Sequence, residues 1–217
     1  MNEAINISLY KRIFLFSVCL FLLLNKLPAQ SNSDCLTCHE EPSLKTVRDG
    51  KTKSLYVNNI TLNKSVHKNV TCASCHKDAA VKDFPHPEKL NPVNCSNCHS
   101  AAQKQFFAGI HGQALKLNAP YAPNCKECHG AHDILPSSSP KSLTYKMNIP
   151  FLCGKCHKEG APVALTYNIN EHNILENYSE GIHGKGLFKS GLIVTATCND
   201  CHGNHLILPR SSPNSSI

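Results

Sequence analysis

The chain has 217 residues, a formal net charge of +7, no Trp and few aromatic residues, yet 13 cysteines and 13 histidines. A basic chain can bind nucleic acids or anionic membranes. However, the sequence contains no glycine-rich phosphate loop, nucleophile elbow or nucleic-acid motif. We therefore expect no nucleic-acid partner, and the arrangement of Cys and His is the informative feature.

The N-terminus has the order of a secretory signal peptide. A basic pair precedes an apolar run from Ile13 to Leu24, and a small-residue cleavage site ends at Ala29. An uncleaved membrane anchor is the alternative, but this run of 12 residues is short for a bilayer span of about 20. We therefore expect residues 1–29 to be removed as a signal peptide and residues 30–217 to be periplasmic or extracellular.

After the signal peptide the chain repeats one pattern, Cys-x-x-Cys-His, six times. Numbered 1 to 6 in chain order, the motifs are Cys35/Cys38/His39, Cys72/Cys75/His76, Cys95/Cys98/His99, Cys125/Cys128/His129, Cys153/Cys156/His157 and Cys198/Cys201/His202. They use every cysteine except Cys19, which lies in the signal peptide. This pattern is the attachment signature of haem c, in which two thiols bind the vinyl groups and the His binds the iron. We therefore predict six covalent haem c groups.

Two other uses of these cysteines are possible. Exported cysteines commonly form disulfides, and paired Cys-x-x-Cys motifs can bind zinc in Cys₄ sites. Neither use requires a His directly after every second cysteine, and here six such histidines occur. The pattern therefore favours haem over disulfides and zinc.

Little of the sequence has the periodicity of an apolar core. Aromatic residues make up 6% of the chain, and the segments between motifs are rich in Pro, Asn, Ser and Lys. Much of the buried apolar surface should then come from the porphyrins. We predict one hexahaem domain over residues 30–217, with short α-helices and loops wrapped around closely packed haems, little regular secondary structure and negligible sheet.

A longer pattern occurs twice with a period of 73 residues, at about 109–144 and 181–217. Each copy begins with Gly-Ile-His-Gly, contains one attachment motif and continues with Gly-x-His-x-Ile-Leu-Pro. In the first copy Cys153 follows Cys125 by 28 residues, and the same step from Cys198 leads to position 226. We therefore expect this chain to be part of a longer multihaem protein.

Seven histidines outside the motifs are candidates for the second axial ligand of the irons. They are His67, His86, His111, His132, His172, His183 and His205. The only Met after the signal peptide is Met147, so we expect mostly bis-His haems, which have low potentials. His132 and His205 each follow their own motif's His by three residues and should bind a neighbouring haem. His172, on a predicted helix at 170–178, is the weakest candidate, and His205 is the predicted surplus ligand.

With its six motifs, paired Gly-x-His-Gly segments and paired Cys-His-Gly-x-His segments, the chain resembles the periplasmic multihaem cytochromes c of the doubled Cys-x-x-Cys-His type over residues 34–217. The resemblance implies a multihaem cytochrome c fold. It also implies redox partner proteins, such as a quinol-oxidising membrane cytochrome or a terminal reductase. Membrane association would come only through a partner or a missing C-terminal region, as in relatives that continue into a membrane cytochrome b domain.

We predict an electron carrier, not an enzyme, that relays electrons through six haems in an anaerobic-type respiratory chain. One alternative is a reductase of a small nitrogen or sulfur compound, which needs an iron with an open coordination site. Relatives of that kind often have Lys in place of the motif His, whereas all six motifs here end in His. The other alternative is a subunit of an extracellular cytochrome filament. No residue is predicted to be catalytic.

Overall fold

The computed structural model describes residues 31–81, 84–169 and 173–217, so the predicted signal peptide and His172 lie outside the described residues. Its helices are α1 (Asn32–His39), α2 (Asn59–Leu62), α3 (Cys72–Cys75), α4 (Ser96–Ala108), α5 (Ile110–Lys116), α6 (Cys125–His129), α7 (Ile149–His157), α8 (Pro162–Thr166), α9 (Ile174–Glu180), α10 (Ile182–Phe188) and α11 (Cys198–His202). Short 3₁₀-helices cover Lys77–Ala79 and Lys146–Asn148. Residues 170–172 of the helix predicted at 170–178 lie outside the described residues, and α9 covers the rest of that segment from Ile174.

The described sheet is a single antiparallel hairpin of β1 (Lys45–Arg48) and β2 (Lys51–Ser54). Its two-residue turn has positive φ at both Asp49 (53°) and Gly50 (70°), as a type I′ turn requires. The predicted architecture of short helices and loops with almost no sheet is therefore confirmed.

Each attachment motif lies on a helix or at its edge, and polar residues begin several of these helices. The Thr197 backbone N–H donates to the Asp200 carboxylate at 2.6 Å in a capping box at the start of α11. Asn124 accepts from the Lys126 backbone N–H at 3.1 Å and caps α6. Residues at i, i+3 and i+4 of a helix share one face. The two thiols and the following His are therefore directed toward the same side.

Each copy of the long repeat begins with the second helix of a helical hairpin, and the first helix lies directly before the copy. Helices α4 and α5 meet at Gly109, and helices α9 and α10 meet at Gly181. A Cβ on Gly112 would collide with the Phe106 carbonyl group, and one on Gly184 would collide with that of Tyr178. Glycine at these positions allows the two helices of each hairpin to approach closely.

The protein itself buries few apolar side chains. In the described part of the chain the buried apolar side chains are those of Ile149, Pro150, Ala161 and Leu187, all in the C-terminal third. Many large apolar side chains are exposed, including Val194 (88%) and Leu117 (80%). Extensive exposed apolar surface marks a site where something binds, and here the predicted porphyrins are that partner.

None of the helices within the described residues is long and apolar enough to cross a bilayer.

Candidate haem-binding sites

Five motif histidines each face a histidine from outside the motifs. The ring centres lie 5.9 Å apart in His39–His86 and His99–His67, 6.0 Å apart in His157–His111 and His129–His205, and 6.1 Å apart in His76–His132. The five pairs join one predicted proximal ligand with one predicted distal candidate each.

The distances within these pairs are nearly constant, whereas the angles between the rings are not. The ring planes differ by 8° in His39–His86 and by 63° in His67–His99, at the same separation of 5.9 Å. Rings that pack directly on each other vary in separation between about 4.5 and 7 Å. An imidazole nitrogen binds a metal ion at about 2 Å and lies about 1 Å from its ring centre, so two axial ligands place their ring centres about 6 Å apart. The constant distance therefore fits an iron between each pair.

The tautomers of one pair also fit axial ligation. The Nδ1 atom of His39 lies 2.8 Å from the Leu55 carbonyl oxygen, and that of His86 lies 2.8 Å from the Pro87 carbonyl oxygen. Because a carbonyl oxygen only accepts, each Nδ1 must donate a proton, which leaves Nε2 as the nitrogen with a free lone pair. Such backbone bonds orient the His ligands of metals.

The electrostatic surroundings of these rings favour neutral imidazoles. Burial lowers the pKa below the ordinary value of His for five of them, and a neighbouring imidazole lowers it further in each case: His76, His111, His129, His132 and His157. A neutral imidazole keeps the lone pair that binds a metal ion.

The attachment thiols group the motifs in twos. The first cysteines of consecutive motifs are neighbours: Cys35 and Cys72, Cys95 and Cys125, and Cys153 and Cys198. Burial raises the pKa of Cys72 to about 11, and the Cys35 thiol adds to this shift. Motif histidines interact within the same couples, since His39, His99 and His202 lower the pKa of His76, His129 and His157. Motifs 1 and 2, 3 and 4, and 5 and 6 therefore form three couples.

The second cysteines connect one couple to the next. Burial raises the pKa of Cys75 in motif 2, and the thiols of Cys95 and Cys98 in motif 3 add to it. Burial likewise raises the pKa of Cys128 in motif 4, with a further contribution from Cys156 in motif 5. The six attachment sites are therefore neighbours in chain order, from motif 1 to motif 6.

The second cysteines of the first and last motifs, Cys38 and Cys201, differ from the other second cysteines. Within the described residues neither thiol interacts with a thiol of another motif. The second cysteine of an odd-numbered motif meets the motif before it, as Cys98 and Cys156 do. Within the series of six sites, Cys38 therefore lies at one end and Cys201 at the other.

Two repeated backbone contacts position the distal candidates. The Val66 N–H, directly before His67, donates to the Ile134 carbonyl oxygen at 2.8 Å. In the same way the Ile110 N–H, directly before His111, donates to the Ile207 carbonyl oxygen at 2.8 Å. Ile134 and Ile207 occupy equivalent positions in the two Gly-x-His-x-Ile-Leu-Pro segments. The distal His before motif 2 is thus held against the segment that follows motif 4. The distal His before motif 4 is held in the same way against the segment that follows motif 6.

Three histidines remain outside these pairs. His202 and His183 form no ring contact with each other, and His172 lies outside the described residues. The suggestion that His205 is the surplus ligand does not fit the geometry, because His205 lies against His129. The unpaired histidine among the described distal candidates is His183.

The geometry gives less support to zinc or disulfides. None of the 12 motif cysteines forms a disulfide, and the side chains of Cys38, Cys75, Cys95, Cys98, Cys125, Cys156 and Cys201 are exposed. Within residues 31–81, 84–169 and 173–217, no three Cys, His, Asp or Glu side chains converge as a metal-binding group. The recurring unit is instead a Cys-Cys-His helix face opposite one further imidazole, which is the set of groups that haem c uses.

Short helices, six attachment motifs and opposed imidazoles define the class of multihaem c-type cytochromes. Residues 41–161 match the Class III cytochrome C family, which is more than half of the chain. The chain therefore belongs to that family. Its members bind haem c covalently and transfer electrons, so this protein is an electron carrier and not an enzyme. Multihaem c-type cytochromes are typically exported.

The chain is also similar to the multiheme cytochrome MtrA of Shewanella baltica (strain OS185). The two are 26% identical over 132 residues, which cover 60% of this chain and 33% of the relative. The matched region thus spans about a third of the curated relative. No solved structure matches the chain.

Proposed function

We propose that this chain is an exported six-haem electron relay in which the haems follow one another in the order of their motifs. The observation that supports this proposal is the alternating contact between attachment thiols. The first cysteines are neighbours within each couple of motifs, and the second cysteines connect one couple to the next. When bound, haem c supplies an iron that changes between the ferric and ferrous states. The chain's own contribution is the spacing and the axial ligation of the irons.

We assign the axial ligands from the ring pairs. His39, His76, His99, His129 and His157 would hold the irons of motifs 1 to 5 from one side, and the distal partners are His86, His132, His67, His205 and His111. For His202 of motif 6 the assigned distal ligand is His172, because His183 is not in contact with His202. These histidines would occupy both axial positions of each iron and would leave no open site for a substrate, which disfavours a reductase.

One sample of the purified holoprotein tests this assignment. We expect an intact mass of residues 30–217 plus six haems, and an electron paramagnetic resonance spectrum of the oxidised protein with low-spin signals only. Fewer haems, or a mass that retains residues 1–29, would contradict the attachment or the export prediction. A stoichiometric high-spin ferric signal would contradict complete bis-His ligation and favour the reductase.

We further propose that the relay exchanges electrons with a quinol-oxidising membrane cytochrome or a terminal reductase in an anaerobic-type respiratory chain. Without residues 1–29 the chain keeps 19 basic and 14 acidic side chains, and the haem propionates bring the holoprotein near neutrality. Docking should therefore depend little on salt.

This partner proposal predicts that quinol-supplied respiratory membranes reduce the oxidised holoprotein at similar rates at low and high ionic strength. Dithionite, which reduces exposed haems without a partner, is the control. The proposal would be contradicted if dithionite reduces the holoprotein, the membranes do not, and a terminal-reductase fraction supplied with its substrate does not reoxidise the dithionite-reduced protein.

A further inference from the structure

The turn at residues 181–184 is built like the turn at 109–112, but its outer side is open. A Cβ on Gly109 would lie 2.8 Å from the Ile207 backbone nitrogen, because the Gly-x-His-x-Ile-Leu-Pro segment of the second copy packs there. A Cβ on Gly181 would meet, among the described residues, only carbonyl oxygens of the preceding helix α9, at 3.3 Å. The first turn is covered by another segment, and the second is not.

The Ile182 N–H in the second turn has no carbonyl partner among the described residues, whereas the equivalent N–H groups elsewhere in the chain have one. The N–H groups of Val66 and Ile110 each donate to an isoleucine carbonyl oxygen at 2.8 Å, from Ile134 and Ile207. Ile182 is the equivalent residue, and no carbonyl of the described residues accepts from its N–H. Its side chain is 82% exposed, against 38% for that of Ile110. Both the amide and the side chain are available to a further segment.

Two distal histidines follow the same rule: each lies before one motif and faces the His of the motif after that one. His67, before motif 2, faces His99 of motif 3, and His111, before motif 4, faces His157 of motif 5. His183 has the same place before motif 6, so its equivalent partner is the His of a motif after the sixth. The six motifs contain no such partner. His183 is exposed and has no ring contact among the described residues.

The attachment thiols show which cysteine lies at the end of the series of six sites. Cys75 and Cys128, the second cysteines of motifs 2 and 4, lie beside the following motif. Cys201 is the second cysteine of motif 6, and among the described residues its thiol interacts with no thiol of another motif. By the same alternation, a haem-bearing segment after motif 6 would lie beside Cys201.

We propose that residues 181–184 receive a haem-bearing segment from outside the six motifs, and that His183 is the distal ligand of its iron. The inference rests on the proposed haem relay and extends it by one electron-transfer contact. The occupant is not one of the two Gly-x-His-x-Ile segments of a second copy, because the carbonyls of Ile134 and Ile207 already accept from Val66 and Ile110. The occupant carries its own Cys-x-x-Cys-His and an iron with one open axial position.

The first test compares two histidine variants of the six-haem holoprotein by electron paramagnetic resonance. His183→Ala should leave all six haems low-spin, whereas His172→Ala should make one haem high-spin. A high-spin haem in His183→Ala would overturn the inference, because His183 would then bind one of the chain's own irons. That outcome would leave the six-haem relay intact, whereas loss of covalent haems from the wild-type chain would remove the relay itself.

The second test measures the ligand function of His183 directly. The probe is a haem peptide of residues 153–161, which carries one covalent haem on Cys153 and Cys156 with His157 as its only axial ligand. Addition of the holoprotein should convert the peptide's haem from high-spin to low-spin at one equivalent. His183→Ala should weaken this binding at least tenfold, and the neighbouring Lys185→Ala variant should bind like the wild type. Equal binding by His183→Ala would overturn the inference.

The external haem could be on a continuation of the same polypeptide or on a separate cytochrome, and native mass spectrometry of protein from the source cells distinguishes them. More than six covalent haems on one chain would assign the haem to a continuation. A six-haem chain bound to a second haem protein, with the complex lost in His183→Ala, would assign it to a separate chain. A six-haem protein with neither would overturn the inference.

Discussion

A chain produced without haem attachment is expected to be unfolded. Its buried apolar side chains among the described residues are those of Ile149, Pro150, Ala161 and Leu187. Full burial of a side chain as large as Leu or Ile stabilises a fold by about 1.5–3 kcal/mol, while ordering the backbone costs about 1–2 kcal/mol for each residue. Four buried side chains do not offset that cost over a chain of this length. The porphyrins must therefore supply most of the apolar surface that stabilises the fold.

Circular dichroism and limited proteolysis of the polypeptide made without the haem attachment machinery would measure this effect. We expect little helical signal and rapid digestion throughout, against a resistant holoprotein. The matched control is the same polypeptide supplied with zinc ions or with an oxidant. A cooperative fold under either condition would support the zinc or the disulfide interpretation and contradict the dependence on haem.

The amount of structure that remains without haem should differ between the two ends of the chain. The helices α7, α9 and α10 pack on one another, with the rings of Phe151 and Phe188 5.2 Å apart. Residual structure without haem should therefore be confined to this region, since local protein contacts exist there. The hairpin β1–β2, which has exposed or half-buried residues throughout, should be lost with the haems.

Local features of the sites follow directly from the sequence. The spacing within Cys-x-x-Cys-His places both thiols and the His on one face of a helical turn, so the motif predicts its own geometry. The repeated Gly-Ile-His-Gly likewise has the same local structure in both copies, because His111 and His183 are the second residues of α5 and α10. Both features depend only on interactions between residues close in sequence.

In contrast, the sequence does not predict which distal His pairs with which motif His. His129 and His205 are 76 residues apart and meet at a ring separation of 6.0 Å. Which distal His reaches which motif depends on how the loops cross, and the loops carry no periodic pattern. The only hint was the short Gly-x-His spacing, which favours a neighbouring haem but does not specify it.

The β1–β2 hairpin lies outside the predicted elements although it has a sequence signal. Asp49-Gly50 is a two-residue turn of the kind that favours positive φ at both positions. The flanking strands are Lys-Thr-Val-Arg and Lys-Thr-Lys-Ser, which lack alternating apolar residues. The turn chemistry was therefore present without the periodicity that normally identifies strands.

Replacing His205 with Met is expected to raise the potential of one haem by about 0.1 V or more. His205 faces His129 at a ring separation of 6.0 Å, and it is the assigned distal ligand of the haem on motif 4. His/Met ligation raises haem potentials relative to bis-His ligation, and axial ligands as a group tune potentials over a range of about 0.8 V. A redox titration followed by absorbance should show one haem in six reduced at a distinctly higher potential than in the wild type.

The position of this haem makes the variant a test of the relay as well. Motif 4 contacts motif 3 through Cys95 and Cys125 and motif 5 through Cys128 and Cys156, so electrons moving along the chain must pass it. A haem of raised potential there would retain electrons, and oxidation of the reduced protein through the far end should slow. His183→Met is the matched control and should change none of the six potentials, because His183 binds none of these irons. An unchanged titration in His205→Met would show that the opposed imidazoles are not an axial pair, and the sequence-order relay would lose its middle step.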